Sequence, residues 1–343
     1  MILEKIILGD NMHKVDLSNY ELRTDLIIEK KIDNLINNSY QEGNIKVDDI
    51  TISKNIDNKQ KGKYITISYE DITDHNNYNN VLNVFIKELK KIFEYLKIKD
   101  TDKCLIIGLG NRHIISDALG SLTISNITVT RHLYLLNDVD KRYRNVSILE
   151  PSVIGMTGVD SIEIIKGVVK NIKPDFIICI DSLCAKNIER LNKTIQITTS
   201  GIKPGSGIGN NRFELSKNTL GVNVIAIGVP TVVDSAVIVS DTINYLYKKI
   251  GYFKNNQNNV KDKLKPLHKI NYLKNNNDLE KEDREKLLGM IGNLNELELQ
   301  HLIWEVLTPI NANMIVTTKE IDFIITKLSN LIAEALNKSL HKI

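Results

Sequence analysis

The sequence predicts an α/β protein with a twisted, mostly parallel sheet flanked by helices and a helical C-terminal tail. Between residues 103 and 250, apolar runs of strand length (CLIIGLG, FIICID and VNVIAIGVPTVV) alternate with amphipathic segments. Runs that are apolar on both faces are typical of parallel strands covered by helices on both sides. From residue 286 onward, apolar residues recur at helical spacing, which predicts the C-terminal helices.

The remaining elements follow from local patterns. TISKN and KYITISYED predict two short strands, possible partners in a hairpin, and residues 81–98 predict an amphipathic helix. ITVTRHL and VSILEPSV predict short strands. Helices are predicted for ISDALGSLTISNI, GVDSIEIIKGVVKNI and DSAVIVSDTINYLYKKI. Residues 253–285 are rich in Asn and Lys and predict an exposed polar loop region.

Composition excludes several classes of protein. The chain has 343 residues, of which 42% are hydrophobic, enough for a sizeable core. Its net charge of +3 is too mild for a nucleic-acid-binding protein. The sequence shows neither a membrane-spanning run nor a signal peptide, so we predict a cytoplasmic protein without a nucleic-acid or membrane partner.

The cysteines predict neither a disulfide nor a metal site. Cys104, Cys179 and Cys184 are odd in number and form no CxxC pair. Reduced thiols in a cytosolic protein are the favoured interpretation, and no cofactor is predicted.

Two aspartates lie where the predicted parallel strands end. Asp117 follows the GLGN strand by a few residues, and Asp181 directly follows FIICI. Catalytic groups gather at the carboxyl ends of such strands, where reduced hydration favours the protonated acid. The pair could share one proton, one carboxylate activating a water while the other polarises a peptide carbonyl. Alternatively, Asp117 caps a helix and Asp181 pairs with a nearby Lys or Arg.

A second candidate is the glycine-rich stretch GIKPGSGIGNNR, residues 201–212. Its backbone N–H groups could hold a substrate or stabilise an oxyanion, or the stretch is a structural loop. The predicted substrate-binding residues are Gly205, Ser206, Gly207, Asn210 and His132.

Histidine and serine chemistry is less well supported. His113 and His132 lie near the predicted strand ends, but no HExxH motif accompanies them, which leaves metal binding a minority interpretation. The sequence has no GxSxG motif either, which disfavours a serine nucleophile.

A series of motifs resembles the germination protease family from about Asp16 to the C-terminus. These motifs are LIIGLGN, SDALG, VTRHL, PSVIGMTGVDSIEIIKGVVKNIKPDFIICIDSL, TIQI, GIKPGSGIGNNR, TLGVNVIAIGVPTVVD, SDTI, GMIGNL and VTTKEID. The most specific are PGSGIGNNR and AIGVPTVVD.

The resemblance implies an endopeptidase that begins the degradation of small acid-soluble spore proteins during germination, in the spore core. It implies a fold similar to the hydrogenase maturation peptidases, a homotetramer, and catalytic acids at Asp117 and Asp181. It also implies a zymogen. Residues 1–25 would be a propeptide, removed by self-cleavage between Asp25 and Leu26, and residues 26–343 a single peptidase domain.

The chain departs from the family pattern at several positions. Thr199, in TTSG, stands where an acid is usual, Ile27 follows the processing site where Ala is usual, and Ser152 replaces Gly in PSVIG. Two rival hypotheses stay open, and the departures at Thr199 and Ile27 lend slight support to the second of them. One is a metal-dependent peptidase of the maturation type on the same fold, and the other is an inactive homologue that binds spore proteins without cutting them.

Overall fold

Strands and helices alternate along most of the chain. The computed structural model describes residues 36–55, 60–136, 139–204, 214–256, 272–273, 278–310 and 312–342. The strands are β1 (Ile36–Glu42), β2 (Ile45–Ile52), β3 (Gly62–Ser68), β4 (Cys104–Gly108), β5 (Val146–Leu149), β6 (Phe176–Ala185), β7 (Thr194–Thr198), β8 (Asn223–Asp234) and β9 (Ile315–Val316). The α-helices are α1 (His75–Tyr95), α2 (Leu119–Ile124), α3 (Arg131–Leu135), α4 (Ile154–Thr157), α5 (Ser161–Ile172), α6 (Lys217–Leu220), α7 (Ser235–Asn255), α8 (Lys281–Leu288), α9 (Glu296–Leu307) and α10 (Ile321–Leu340).

The described chain divides into two compact units. One comprises residues 186–188 and 233–316 and contains α7, α8, α9 and β9. In it, β9 pairs antiparallel with the last two residues of β8. The other unit contains the rest of the sheet, α1 to α6, α10 and both predicted catalytic aspartates.

The sheet is mixed, and the prediction of a mostly parallel sheet was wrong. The strand order is β1-β2-β3-β7-β8-β6-β4-β5. Strand β4 pairs in parallel with β5 and β6, whereas β1–β2, β2–β3, β3–β7 and β7–β8 are antiparallel. The prediction failed because an apolar run indicates that a strand is buried on both faces but does not indicate in which direction it runs relative to its neighbours. The predicted pairing of strands around TISKN and KYITISYED is confirmed as the β2–β3 pair, but β2 begins earlier and ends at Ile52, so only the first two residues of TISKN lie in it.

Two apolar layers cover the central strands. Successive strand residues face opposite sides of a sheet. Accordingly, Ile106 and Ile178 belong to the cluster that α1, α2 and α10 complete, whereas Ile107 and Ile177 pack with Ile162 and Ile165 of α5. Each fully buried aliphatic side chain contributes roughly 1.5–3 kcal/mol to folding. The prediction of an α/β fold with flanking helices and a C-terminal helix is confirmed.

Several predicted elements differ in detail. The predicted helix 81–98 is α1, which begins earlier because the Asp74 carboxylate accepts a hydrogen bond from the Asn77 N–H. The strand predicted in ITVTRHL was wrong, since the Thr130 carbonyl accepts hydrogen bonds from Leu133 and Tyr134 and begins α3. Within the predicted polar region 253–285, α7 ends at Asn255 and α8 begins at Lys281. No helix in the described ranges has the length and apolarity that a bilayer span requires.

Ser152, one of the departures from the family pattern, has an unusual backbone conformation. Its φ is 60°, in the left-handed region that favours glycine, the residue the family pattern has there. We expect Ser152→Gly to raise the free energy of unfolding by about 0.5–1 kcal/mol, because it removes the strain on the Cβ atom. Urea unfolding measures this change. A Ser152→Ala variant, which keeps the Cβ, should show no such gain, and a gain equal to that of glycine would contradict the explanation.

A buried histidine, His341, directly follows α10. His341 is 3% exposed, its Nδ1 accepts the Arg144 backbone N–H at 3.1 Å, and its Nε2 lies 3.3 Å from the Thr128 carbonyl oxygen. This arrangement fits a neutral ring that donates from Nε2. Burial, together with the positive charge of Arg144, lowers the pKa of His341.

This histidine predicts a pH dependence of stability. Its pKa in the folded chain lies below the unfolded value of about 6.5, so the unfolded chain binds the proton more readily. The contribution of His341 is therefore complete above about pH 6.5 and is lost as the pH falls toward the folded-state pKa. We expect His341→Gln to weaken the decline of the urea midpoint on acidification. His75→Gln, at an exposed histidine, is the control, and an equal change in both variants would contradict the prediction.

Candidate functional site

Asp117 lies in a tight loop between β4 and α2. It ends a 3₁₀ turn, Ile115–Asp117, and its side chain is half-buried. Its carboxylate Oδ2 accepts the Asn111 backbone N–H at 2.8 Å, and its own N–H donates to the Ile114 carbonyl at 2.8 Å. Helix α2 has no side-chain cap hydrogen bond, so the alternative in which Asp117 caps that helix is not supported.

Asp181 lies inside β6 rather than at its end, and the prediction that it follows the strand was wrong. The strand continues to Ala185, because Leu183, Cys184 and Ala185 are also buried. The parallel pairing with β4, however, reaches only as far as Gly108 and Ile180. Asp181 is therefore the first residue of β6 beyond that pairing. It is 6% exposed, and its Oδ1 accepts the Ser182 N–H at 2.9 Å.

The loop of Asp117 is held against the backbone that precedes Asp181. The Leu109 N–H donates to the Ile180 carbonyl at 2.8 Å. A Cβ atom on Gly120 would lie 2.4 Å from the Leu109 carbonyl oxygen and 2.5 Å from that of Ile180, so only glycine permits this approach. From β8, the Thr231 hydroxyl donates to the Ser116 carbonyl at 2.6 Å. The structure thus brings the segments that carry the two aspartates together where the parallel pairing of β4 with β6 ends.

Gly110 makes the loop of Asp117 possible. Its φ is +98°, and a Cβ atom there would lie 2.1 Å from the Asp117 carbonyl oxygen. Gly110 of GLGN therefore permits the close passage of the chain around Asp117, whereas a Cβ atom on Gly108 would instead meet the backbone of Gly120.

The stem of the glycine-rich stretch lies beside the same strand. Ile202 and Leu215 form a two-way backbone bridge, with N···O distances of 2.9 and 2.8 Å. Ile202 packs on Leu183 and Ala185 of β6. By strand alternation these two residues share a face with Asp181. The predicted residues Gly205, Ser206, Gly207 and Asn210 lie outside the described residues, as do Asp25 and Leu26.

The Cys179 thiol lies on the same face of β6 as Asp181. Burial raises the pKa of the Cys179 thiol, and the nearby Asp181 adds to the shift. Burial also raises the pKa of the Cys104 thiol. A thiol whose pKa is raised carries little thiolate, so these two cysteines are poor nucleophiles.

Thr199, the residue in place of the family's usual acid, joins two strands. Its hydroxyl accepts the Lys63 N–H at 3.0 Å, and its own N–H donates to the Lys63 carbonyl at 3.0 Å. These bonds extend the β3–β7 pairing past Thr198. The side chain at this position thus has a structural task in this chain.

The two predicted histidines are both exposed. His113 belongs to the loop before Asp117, where its backbone N–H donates to the Asn111 side chain at 3.0 Å, and His132 lies in α3. Within the described ranges, no three His, Cys, Asp or Glu side chains are grouped so that they could hold a metal ion.

Sequence reasoning missed the ion pair between Arg112 and Glu150. The guanidinium donates to both oxygens of the Glu150 carboxylate, from Nε at 2.9 Å and from Nη2 at 2.5 Å. The two residues are separated by 37 others, but each follows one of the paired strands β4 and β5. This common position after two neighbouring strands was the signal from which the ion pair could have been predicted.

Comparison with known proteins identifies the class. Residues 14–343 match the family model described as germination protease. A relative of that name from Bacillus velezensis is 41% identical over 355 residues, with 96% of each chain covered. The relatives named germination protease from Bacillus subtilis and Priestia megaterium are each 40% identical, again with 96% of each chain covered.

Together these findings define a peptidase, an enzyme that hydrolyses peptide bonds, built on a mixed α/β sheet. The chain belongs to the germination protease family.

Proposed function

We propose that this protease is an endopeptidase that begins the degradation of small acid-soluble spore proteins, with Asp117 and Asp181 as its catalytic acids. The observation that carries the proposal is the contact of the Asp117 loop with the β6 backbone directly before Asp181. Asp117 is half-buried and Asp181 is buried, and two such carboxyl groups, close to each other, would divide a single proton between them.

The chemistry needs one ionised and one protonated carboxyl group. The ionised group takes a proton from a water molecule, whose oxygen attacks the peptide carbonyl carbon, while the protonated group donates to the carbonyl oxygen. Collapse of the tetrahedral intermediate breaks the C–N bond. The proton taken from water passes to the leaving amine, and one hydroxyl of the intermediate returns its proton to the carboxyl group that had donated one. The backbone N–H groups of Gly205, Ser206, Gly207 and Asn210 would hold the substrate, and His132 is the further proposed contact.

Regulation belongs to the same proposal. Residues 1–25 would block the cleft of the single peptidase domain 26–343 until the chain cuts itself between Asp25 and Leu26. A carboxyl pair responds to acidification, which would trigger this cut in the developing spore. The proposed setting is the cytoplasm of the spore core, the proposed assembly is a homotetramer, and the proposed fold relatives are the hydrogenase maturation peptidases.

Substrate cleavage tests this function. The full chain and the form that begins at Leu26 are each incubated with a small acid-soluble spore protein, with and without a chelator. We expect the Leu26 form to cut, the full chain to cut only after it has processed itself, and the chelator to have no effect. Loss of cleavage with chelator would favour the metal-dependent rival. Absence of cleavage by both forms would favour a homologue that only binds.

A further inference from the structure

Arg112 contacts three different parts of the chain around the loop of Asp117. Besides the paired bonds to Glu150, which follows β5, its Nη2 donates to the Ser121 carbonyl at 3.2 Å and to the Ser125 hydroxyl at 3.1 Å. Ser121 lies in α2, and Ser125 directly follows that helix. One guanidinium thus connects the loop, the helix and the end of a neighbouring strand.

These contacts lie on both sides of Asp117 in the sequence. On the N-terminal side, Arg112 follows Asn111, whose backbone N–H donates to the Asp117 carboxylate at 2.8 Å. On the C-terminal side, α2 begins two residues after Asp117. A movement of Arg112 therefore displaces both the N–H group that orients the carboxylate and the helix that follows it.

The ion pair is a poor candidate for a stabilising role alone. The side chains of Arg112 and Glu150 are 44% and 28% exposed, and ion pairs in contact with solvent contribute little to stability. The neighbouring guanidinium lowers the pKa of Glu150, so both partners stay charged at neutral pH. The value of a forked, two-bond arrangement is that it fixes an orientation.

We infer that Arg112 is a positioning residue for Asp117, and that it acts through its forked bonds to Glu150 and its contacts with α2. The inference rests on the proposed function, in which Asp117 touches the substrate. Displacement of a reacting group by about 1 Å can cost about 10²-fold in rate. Lysine carries the same charge but cannot form the fork, so it should replace Arg112 only in part.

The test uses whichever form of the chain cleaves the spore protein in the assay above. We expect Arg112→Ala to lower kcat about 10–100-fold with KM changed less than about threefold. Arg112→Lys and Glu150→Gln should give intermediate kcat values. The control is Arg142→Ala, at another two-bond ion pair, in which Nε and Nη2 both donate to one oxygen of Asp140; both residues precede β5, whereas Glu150 follows it. Arg142→Ala should keep the parental kcat.

Each outcome decides the inference. Parental kcat in Arg112→Ala, or an equal loss in Arg142→Ala, overturns it, while an inactive Asp117→Asn would leave the proposed function standing. If Arg112→Ala fails to fold, Arg112→Lys and Glu150→Gln decide, since parental kcat in both contradicts a positioning role and reduced kcat at unchanged KM supports it. Full activity of Asp117→Asn would remove the proposed function and the inference together.

Discussion

Asp181→Asn is expected to lower the rate of spore-protein cleavage by about 10²–10⁴-fold, the usual contribution of a general acid or base. Asparagine keeps the size of the side chain but can neither take a proton from water nor hold the proton of the pair. Asp117→Asn should show a loss of the same order. The double variant should lose little more than either single variant, because residues that act as a unit have strongly non-additive effects.

The folded state should survive these changes. Asparagine has nearly the size and shape of aspartate, and its amide oxygen can still accept the Ser182 N–H, so the Asn variant should unfold at a similar urea concentration. Asp160→Asn, at the cap of α5, is the control for replacing an aspartate elsewhere. Its activity should equal that of the parent. An active Asp181→Asn enzyme would exclude this residue from the chemistry.

Gly120→Ala should destabilise the protein strongly. The added methyl would lie within 2.5 Å of three backbone atoms, two from Leu109 and one from Ile180, and backbone cannot move aside as a flexible side chain can. We expect a loss of about 3 kcal/mol in the free energy of unfolding, typical of severe overpacking. Helix α2 would be pushed away from the sheet, so cleavage should fall as well.

The matched control is Gly167→Ala in α5. A Cβ atom there meets nothing within 4 Å, and alanine favours a helix by up to about 1 kcal/mol over glycine. Urea unfolding should show Gly167→Ala to be neutral or stabilised. A Gly120→Ala protein with parental stability and parental activity would contradict the close packing of α2 on β4 and β6.

The central strands could be predicted from the sequence because strands that are buried on both faces consist almost entirely of apolar residues. β4 and β6 are fully apolar over their paired lengths, and the α5 segment has helical spacing between Asp160 and the Lys-Pro dipeptide. The first strand escaped prediction because INNSYQE is polar, although Gly43 and Asn44 between β1 and β2 form a typical two-residue hairpin turn. The direction of neighbouring strands could not be predicted, because buried parallel and antiparallel strands have the same pattern of hydrophobic residues.

The candidate site, too, was predicted only in part. Both aspartates stand out in the sequence because each interrupts or follows an apolar run. The end of β6 was misplaced because the acid was taken as a boundary, although LCA after Ser182 is apolar. Arg112 escaped notice because its partner Glu150 is distant in sequence and a charged pair has no local pattern. Contacts across neighbouring strand ends arise only from the assembled sheet.

The sharing of one proton by Asp117 and Asp181 is tested most directly by titration of the aspartate carboxyl carbons in ¹³C-labelled protein. The account predicts that the pair releases its protons in two well-separated steps, and that Asp117→Asn replaces them with a single step from Asp181. If the two groups instead titrate independently, each in one step that is unchanged when the other is replaced, the two-aspartate mechanism is contradicted.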